Sequence, residues 1–188
     1  MFDYQQLYDK YYPAGTRARD ILERHSRSVC DLALAIDHTL GLGIDPERIE
    51  VAAMLHDIGI FMTDADGIDC HGSEQYIRHG ILGADLLRVE DAPEWAALVA
   101  ERHTGAGISA DDIRELNLPL PCDRVLMPES LLERLICYAD KFYSKSGDMK
   151  IKSLDRVRAS MARHSQSTQR RFEQLHDEFG TAVHALGM

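Results

Sequence analysis

The order of residues points to an all-α protein folded as a single compact helical bundle, and three observations carry that expectation. Apolar residues recur at three- and four-residue steps along most of the chain. No segment sustains the two-residue alternation of a half-buried strand, and clusters of Gly, Pro and Asp cut the chain into helix-length blocks. Its 188 residues suit one hydrophobic core.

At the start, Phe2, Tyr4, Tyr8, Tyr11 and Tyr12 read as an aromatic strip that docks an N-terminal helix, with a homodimer contact as the second reading. From Arg17 to Leu40, Ile21, Leu22, Val29, Leu32 and Ile36 share one face of a long helix, which Gly41 and Gly43 stop. Asp45-Pro46 is a cap followed by proline at the first helical position, and it opens a short buried helix that ends in His56-Asp57 before Gly59. Residues 63 to 72 are turn formers, and Ser73 is read as the cap of a helix running through Ile77, Ile81 and Leu87. Pro93 opens another helix, which delivers His103 ahead of the Gly105 and Gly107 loop. Three prolines make residues 117 to 128 an extended connection. A helix then runs from Ser130 to Ser144 and presents Asp140 near its end, and 153 to 186 form one or two amphipathic helices broken near 164 to 167.

Composition narrows the function. Thirty-one acids against 21 bases give a net charge of −10, which argues against a protein that holds long nucleic acid by neutralising its phosphates. A small phosphorylated ligand is compatible with that charge, because a metal and a few local cations outweigh the global sign. The first residues show no basic-then-apolar signal pattern, and no stretch approaches the roughly 20 apolar residues of a membrane span, so a cytoplasmic protein without membrane contact is expected. Cys30, Cys70, Cys122 and Cys137 are widely separated and read as reduced thiols.

Six residues of metal-ligand type fall on buried helices or at their ends: His25, His56, Asp57, His79, His103 and Asp140. An isolated His-Asp pair says little, but the full order H...HD...H...H...D says much more. With it, the chain resembles the HD superfamily of metal-dependent phosphohydrolases over about residues 17 to 145. AAMLHDIG at 52 to 59 looks like that family's central helix in its HDIG variant. RHGILGADLL at 78 to 87 and ERHTGAG at 101 to 107 resemble the extra-histidine segments of binuclear members, and YADKF at 138 to 142 resembles the segment bearing the last aspartate. Among its members, small bacterial proteins such as the diadenosine tetraphosphate hydrolases look most similar. The resemblance implies an HD-domain bundle with its metal site in the core, and helices 153 to 186 packing on it.

Imidazole and carboxylate donors without thiolate suit one or two first-row ions, iron foremost, with manganese, nickel and zinc as alternatives. Asp57 has two oxygens and can bridge, with His25, His56 and Asp140 completing one site and His79 and His103 the other. Ions held about 3.5–4 Å apart would share a hydroxide, the nucleophile expected to attack a phosphate ester or anhydride of a small molecule, in first place a nucleotide. Lys141 or Lys145 is the expected cation for the charge developing on phosphorus, with Arg24, Arg102 and His71 as further substrate contacts. The continuation Ile60-Phe61-Met62 departs from members with a polar or basic residue there and suggests an apolar pocket wall. Two other functions fit the same residues: a di-iron oxygenase of the HD type, and a non-catalytic metal or nucleotide binder. His38, His164, His176 and His184 are read as bystanders.

Overall fold

The computed structural model describes residues 2–145 and 150–187. Helix α1 (Tyr4–Tyr11) opens on Asp3, whose side chain accepts the Gln5 N–H. Helix α2 (Arg17–Leu40) opens on Thr16 in the same way and stops at Gly41, which takes the left-handed conformation at φ 62°. Helix α3 (Pro46–Leu55) lies under its Asp45 cap. His56 and Asp57 therefore fall just past the helix, where a place in its last turn was expected. His56 is the C-terminal cap, and Asp57 leads into a 3-10 turn at Ile58–Met62.

The bundle is all-α as expected, and among the described residues one short two-stranded hairpin interrupts it. Strands β1 (Asp64–Ala65) and β2 (Cys70–His71) pair antiparallel, Asp64 opposite His71 and Ala65 opposite Cys70, around Asp69 at φ 59°. The same turn draws in the next residues, because Glu74 donates its N–H to the Met62 carbonyl and its own carbonyl accepts from Asp64. Ser73 is thereby kept from capping a helix, and a 3-10 turn at Tyr76–Arg78 leads instead to α4 (His79–Val89).

Helix α5 (Glu94–Arg102) follows Pro93. Helix α6 (Ala110–Glu115), absent from the expectations above, is set by a capping box in which Ser109 and Asp112 satisfy each other's backbone N–H groups. Helix α7 (Leu131–Asp140) ends four positions short of Ser144, because Lys141, Phe142 and Tyr143 donate to carbonyls three residues back and tighten the chain out of the α-helix. Ser165, extended at φ −169°, separates α8 (Leu154–His164) from α9 (Gln166–Ala185) and caps the latter.

Two large apolar clusters hold most of these helices together. One joins α2, α3, α7 and α9 through Val29, Ile36, Ile49, Leu135, Phe172 and Phe179. The other joins α1, α3, α4 and the 3-10 turn through Tyr8, Tyr12, Leu55, Ile58 and Leu87. A smaller third one packs Ile113 of α6 against Ile81, Leu120 and Leu126. Burying each such side chain contributes about 1.5–3 kcal/mol before the entropy of ordering it. Leu22 belongs to the second cluster and Val29 to the first, so His25 sits on α2 between the two. Tyr12 fastens α1 beside the His56-Asp57 turn: its hydroxyl donates to the Ile58 carbonyl at 2.9 Å and accepts the Phe61 N–H at 3.0 Å. Tyr8 donates to the Met54 carbonyl.

Glycines let α4 reach that turn. A Cβ on Gly59 would lie 2.3 Å from the His79 carbonyl oxygen and 2.4 Å from the Gly83 nitrogen, and one on Gly80 would lie 2.7 Å from the Ala100 oxygen. The α4 backbone is thus pressed against the Asp57 turn on one side and α5 on the other. Among the described residues, no helix is long and apolar enough to cross a membrane.

Candidate metal centre

The six donors come from five places in the fold, and four of the five are helix ends. His25 projects from within α2, His56-Asp57 follow α3, His79 begins α4, His103 caps α5, and Asp140 ends α7. All six are buried, with Asp57 and His56 at 0% exposure. Three rings are aimed by the same device: Nδ1 of His56, His79 and His103 donates to the carbonyl three residues earlier, that of Ala53, Tyr76 and Ala100, at 2.6, 2.7 and 2.8 Å. A proton on Nδ1 leaves a bare lone pair on Nε2, the tautomer a metal ligand needs.

Those Nε2 atoms converge on Asp57. Its Oδ2 lies 3.2 Å from His25 and 3.1 Å from His56, and its Oδ1 lies 3.4 Å from His79 and 3.3 Å from His103. Asp140 Oδ1 closes the first group at 3.0 Å from His25 and 3.6 Å from His56. The donor atoms thus fall into two sets that share Asp57: His25, His56, Asp57 and Asp140, and Asp57, His79 and His103.

The donors fit metal ions on the chemistry of these contacts. His79 and His103 bring their Nε2 atoms to 3.0 Å, although Nδ1 of each is already the donor to a carbonyl. Two lone pairs at that distance repel unless a cation lies between them, and about 3 Å is the separation of two imidazoles bound at right angles to one ion about 2.1 Å away. Asp57 agrees in part: buried Oδ1 accepts no aligned hydrogen bond among the described residues, while Oδ2 has the Lys145 ammonium at 2.7 Å.

Charge differs between the two sets. Burial opposes a proton on His56, but Asp57 and Asp140 outweigh it and lift the pKa to about 9, the electrostatic mark of a place that attracts cations. Burial instead takes His79 down to about 3 against the pull of Asp57, and lowers His103. Burial would raise both aspartates, yet His56 and Lys145 hold Asp57, and Lys141 and Lys145 hold Asp140, well below the usual carboxylate range.

A cleft of about 460 Å³ opens over His79, His103 and Asp140. Its apolar wall includes Ile68, Tyr76, Tyr143 and Met161, its cations among the described residues are Lys141, Lys145 and Lys152, and His164, whose pKa is lowered by burial and by Lys141 and Arg163, lines it as an imidazole. Lys145 places Nζ 2.7 Å from Asp57 Oδ2. Lys141 is tied back, donating to Asp140 Oδ2 at 2.6 Å and to the His103 carbonyl at 3.0 Å.

The other three expected substrate contacts do not line this cleft. Arg24 is exposed beside Asp20, and Arg102 pairs with Glu129 and Glu133 at 2.7 and 2.9 Å. The cause is helical geometry, since a residue adjacent to an inward-facing histidine points about 100° away from it. His71 is exposed on the hairpin between Asp66 and Asp69. Lys152 and Tyr76 reach the cleft without having been singled out, and His164, read from the sequence as a bystander, lines it as well. Tyr76 carried a usable signal, three residues before His79, on whose ring it stacks at 4.7 Å. Lys152 carried none.

The HD domain family model matches residues 22–144. An uncharacterized protein of Methanocaldococcus jannaschii is 41% identical over 110 residues, 58% of this chain and 56% of that one. Two proteins named tRNA (cytidine(56)-2'-O)-methyltransferase are also similar. The one from Thermoplasma volcanium is 31% identical over 181 residues, 96% of this chain and 48% of its own length. The one from Picrophilus torridus is 27% identical over 164 residues, 87% and 43%. This chain spans about half the length of the curated relatives it matches. No solved structure matches it. The matched span holds every donor of the cluster in the order His25, His56-Asp57, His79, His103, Asp140, and the chain belongs to the HD domain family.

Proposed function

We propose that this chain is a metal-dependent phosphohydrolase that cleaves a phosphate ester or anhydride of a small molecule, a nucleotide foremost. The division of Asp57 carries this reading: its two oxygens face two separate histidine pairs beneath a cleft with lysines on its wall. His25, His56, Asp57 and Asp140 would hold one ion and Asp57, His79 and His103 a second, with iron the leading candidate among ions that imidazole and carboxylate suit. When bound, such ions polarise phosphoryl oxygens and make coordinated water acidic enough to attack near neutral pH.

The chain's own residues supply orientation and charge. The carbonyls of Ala53, Tyr76 and Ala100 fix three imidazoles in one tautomer. Lys141 orients Asp140 and is a positioning residue, because two of its N–H groups are already engaged. Lys145 is the cation for a phosphoryl group, since its Nζ lies next to Asp57 at the cleft. Tyr76, Tyr143 and Met161 offer an apolar wall for a nucleobase.

Methyl transfer to tRNA, the activity in the name of two relatives, is not adopted. The match covers less than half of each of those proteins, and a chain of net charge −10 is poorly suited to hold a long polyanion.

The test is anaerobic purification with elemental analysis, followed by a chromatographic hydrolysis screen over mononucleotides, dinucleoside polyphosphates and cyclic dinucleotides. His56→Ala and Asp57→Ala serve as controls, and methyl transfer to a tRNA transcript is run alongside. Metal-dependent hydrolysis lost in both variants is expected. Two irons with oxygen consumption and no hydrolysis would instead establish the oxygenase. Bound metal with no turnover of any kind would leave a binding protein.

A further inference from the structure

The cations of the cleft are not equivalent. Lys141 is paired with Asp140 and Lys145 with Asp57, so the charge of each is met by a carboxylate. Lys152, half-buried, gives its ammonium only a neutral acceptor, the Lys141 carbonyl at 3.0 Å, and no ion pair among the described residues includes it. Its backbone N–H donates to the Phe142 carbonyl at 2.8 Å, which fixes it against the segment that follows Asp140. His164, at the end of α8, lines the same cleft.

The lining of this cleft reverses the sign of the whole chain. Among the described residues Asp140 is the one acid in its lining, although acids outnumber bases 31 to 21 in the sequence. A half-buried ammonium without an anion bears a desolvation cost that a carbonyl oxygen offsets only in part. Burial, opposed by Asp140 but reinforced by Lys141 and Lys145, accordingly pushes the Lys152 pKa down to about 8.

We propose that Lys152, with His164, forms a second anion subsite in this cleft, so that the substrate carries at least two phosphates. The proposal rests on the phosphohydrolase reading of the same cleft. A lone phosphate over Asp57, His79 and His103 leaves Lys152 without an ion-pair partner among the described residues. A chain of phosphates sets one group there and another against Lys152, whose ammonium then makes a charge-assisted contact.

The test is calorimetric binding of inorganic phosphate, pyrophosphate and tripolyphosphate to the metal-loaded protein, freed of excess metal. Wild type is compared with Lys152→Met, which keeps the side-chain stem, with Lys152→Arg and with His164→Ala. Wild type should hold one of the longer anions at least about tenfold more tightly than phosphate, the effect of one added charged contact. Lys152→Met should remove that preference while leaving phosphate affinity and metal content unchanged, Lys152→Arg should retain it, and His164→Ala should reduce it. Equal preference in wild type and Lys152→Met would overturn the subsite. So would a parallel loss of phosphate and polyphosphate binding, the mark of a merely structural lysine.

Failure of this subsite and failure of the hydrolase reading look different. A preference that depends on Lys152, with no hydrolysis in the nucleotide screen, keeps the subsite and removes the activity. Hydrolysis with affinities indifferent to Lys152 does the reverse.

Discussion

The two faces of Asp57 are built from the same residue types yet differ in charge and access. Around Oδ2 stand His25, His56, Asp140 and Lys145, and around Oδ1 stand His79 and His103. The Oδ2 face has two carboxylates to offer an ion and lifts His56 to about 9, whereas the Oδ1 face has a share of one and leaves His79 near 3. His79 and His103 line the cleft, while His25 and His56 do not. The second carboxylate therefore favours a dication on the Oδ2 face, whose two histidines are enclosed and which reaches the cleft only through Asp140 and Lys145.

Substitutions test this contrast most strongly at the shared residue. Asp57→Ala removes a donor from both faces, and hydrolysis should fall on the order of 10³-fold or more, with both ions gone by elemental analysis. Next, His56→Ala and His79→Ala should each slow turnover by about 10²–10³-fold but differ in metal content. His79→Ala should keep about one ion per chain, and equal loss in the two variants would erase the distinction between the faces. In wild type, graded chelation should remove the ions in two steps, the first abolishing turnover with the enclosed ion still bound. A single cooperative step would show the faces to be equivalent.

Smaller effects sharpen the same picture. Lys145→Met should lower turnover about 10–100-fold. Metal affinity should not fall in that variant, because it removes a cation 2.7 Å from Asp57. Weaker metal binding would show that Lys145 supports the site instead of serving the substrate. Tyr12→Phe leaves the Ile58 carbonyl and the Phe61 N–H without the hydroxyl that joins them, and should cost about 1–3 kcal/mol in denaturant unfolding.

The metal face of the site was legible in the sequence for a local reason. All its donors but His25 stand at helix ends, with Gly59, Gly80 and Gly105 close by in sequence, and the carbonyl that aims each of three rings is only three residues away. Gly59 read only as the end of α3, and the structure adds that its backbone lies against those of His79 and Gly83. The cleft wall was legible only in part, because Lys141 and Lys145 follow Asp140 closely in sequence whereas Lys152 and His164 reach the cleft only through tertiary packing. Arg24 and Arg102 misled through proximity in sequence, which on a helix is not proximity in space. The hairpin at 64 to 71 and α6 are too short for periodicity to reveal, although Ser109-x-x-Asp112 was a readable capping box.

Metal stoichiometry tests the central claim most directly. Elemental analysis of the anaerobically purified protein and of its His79→Ala and Asp57→Ala variants, each confirmed folded by circular dichroism, should give two ions, one ion and none per chain. A folded wild-type protein that takes up no first-row metal, or an Asp57→Ala variant that keeps the wild-type content, would contradict a metal centre built around Asp57.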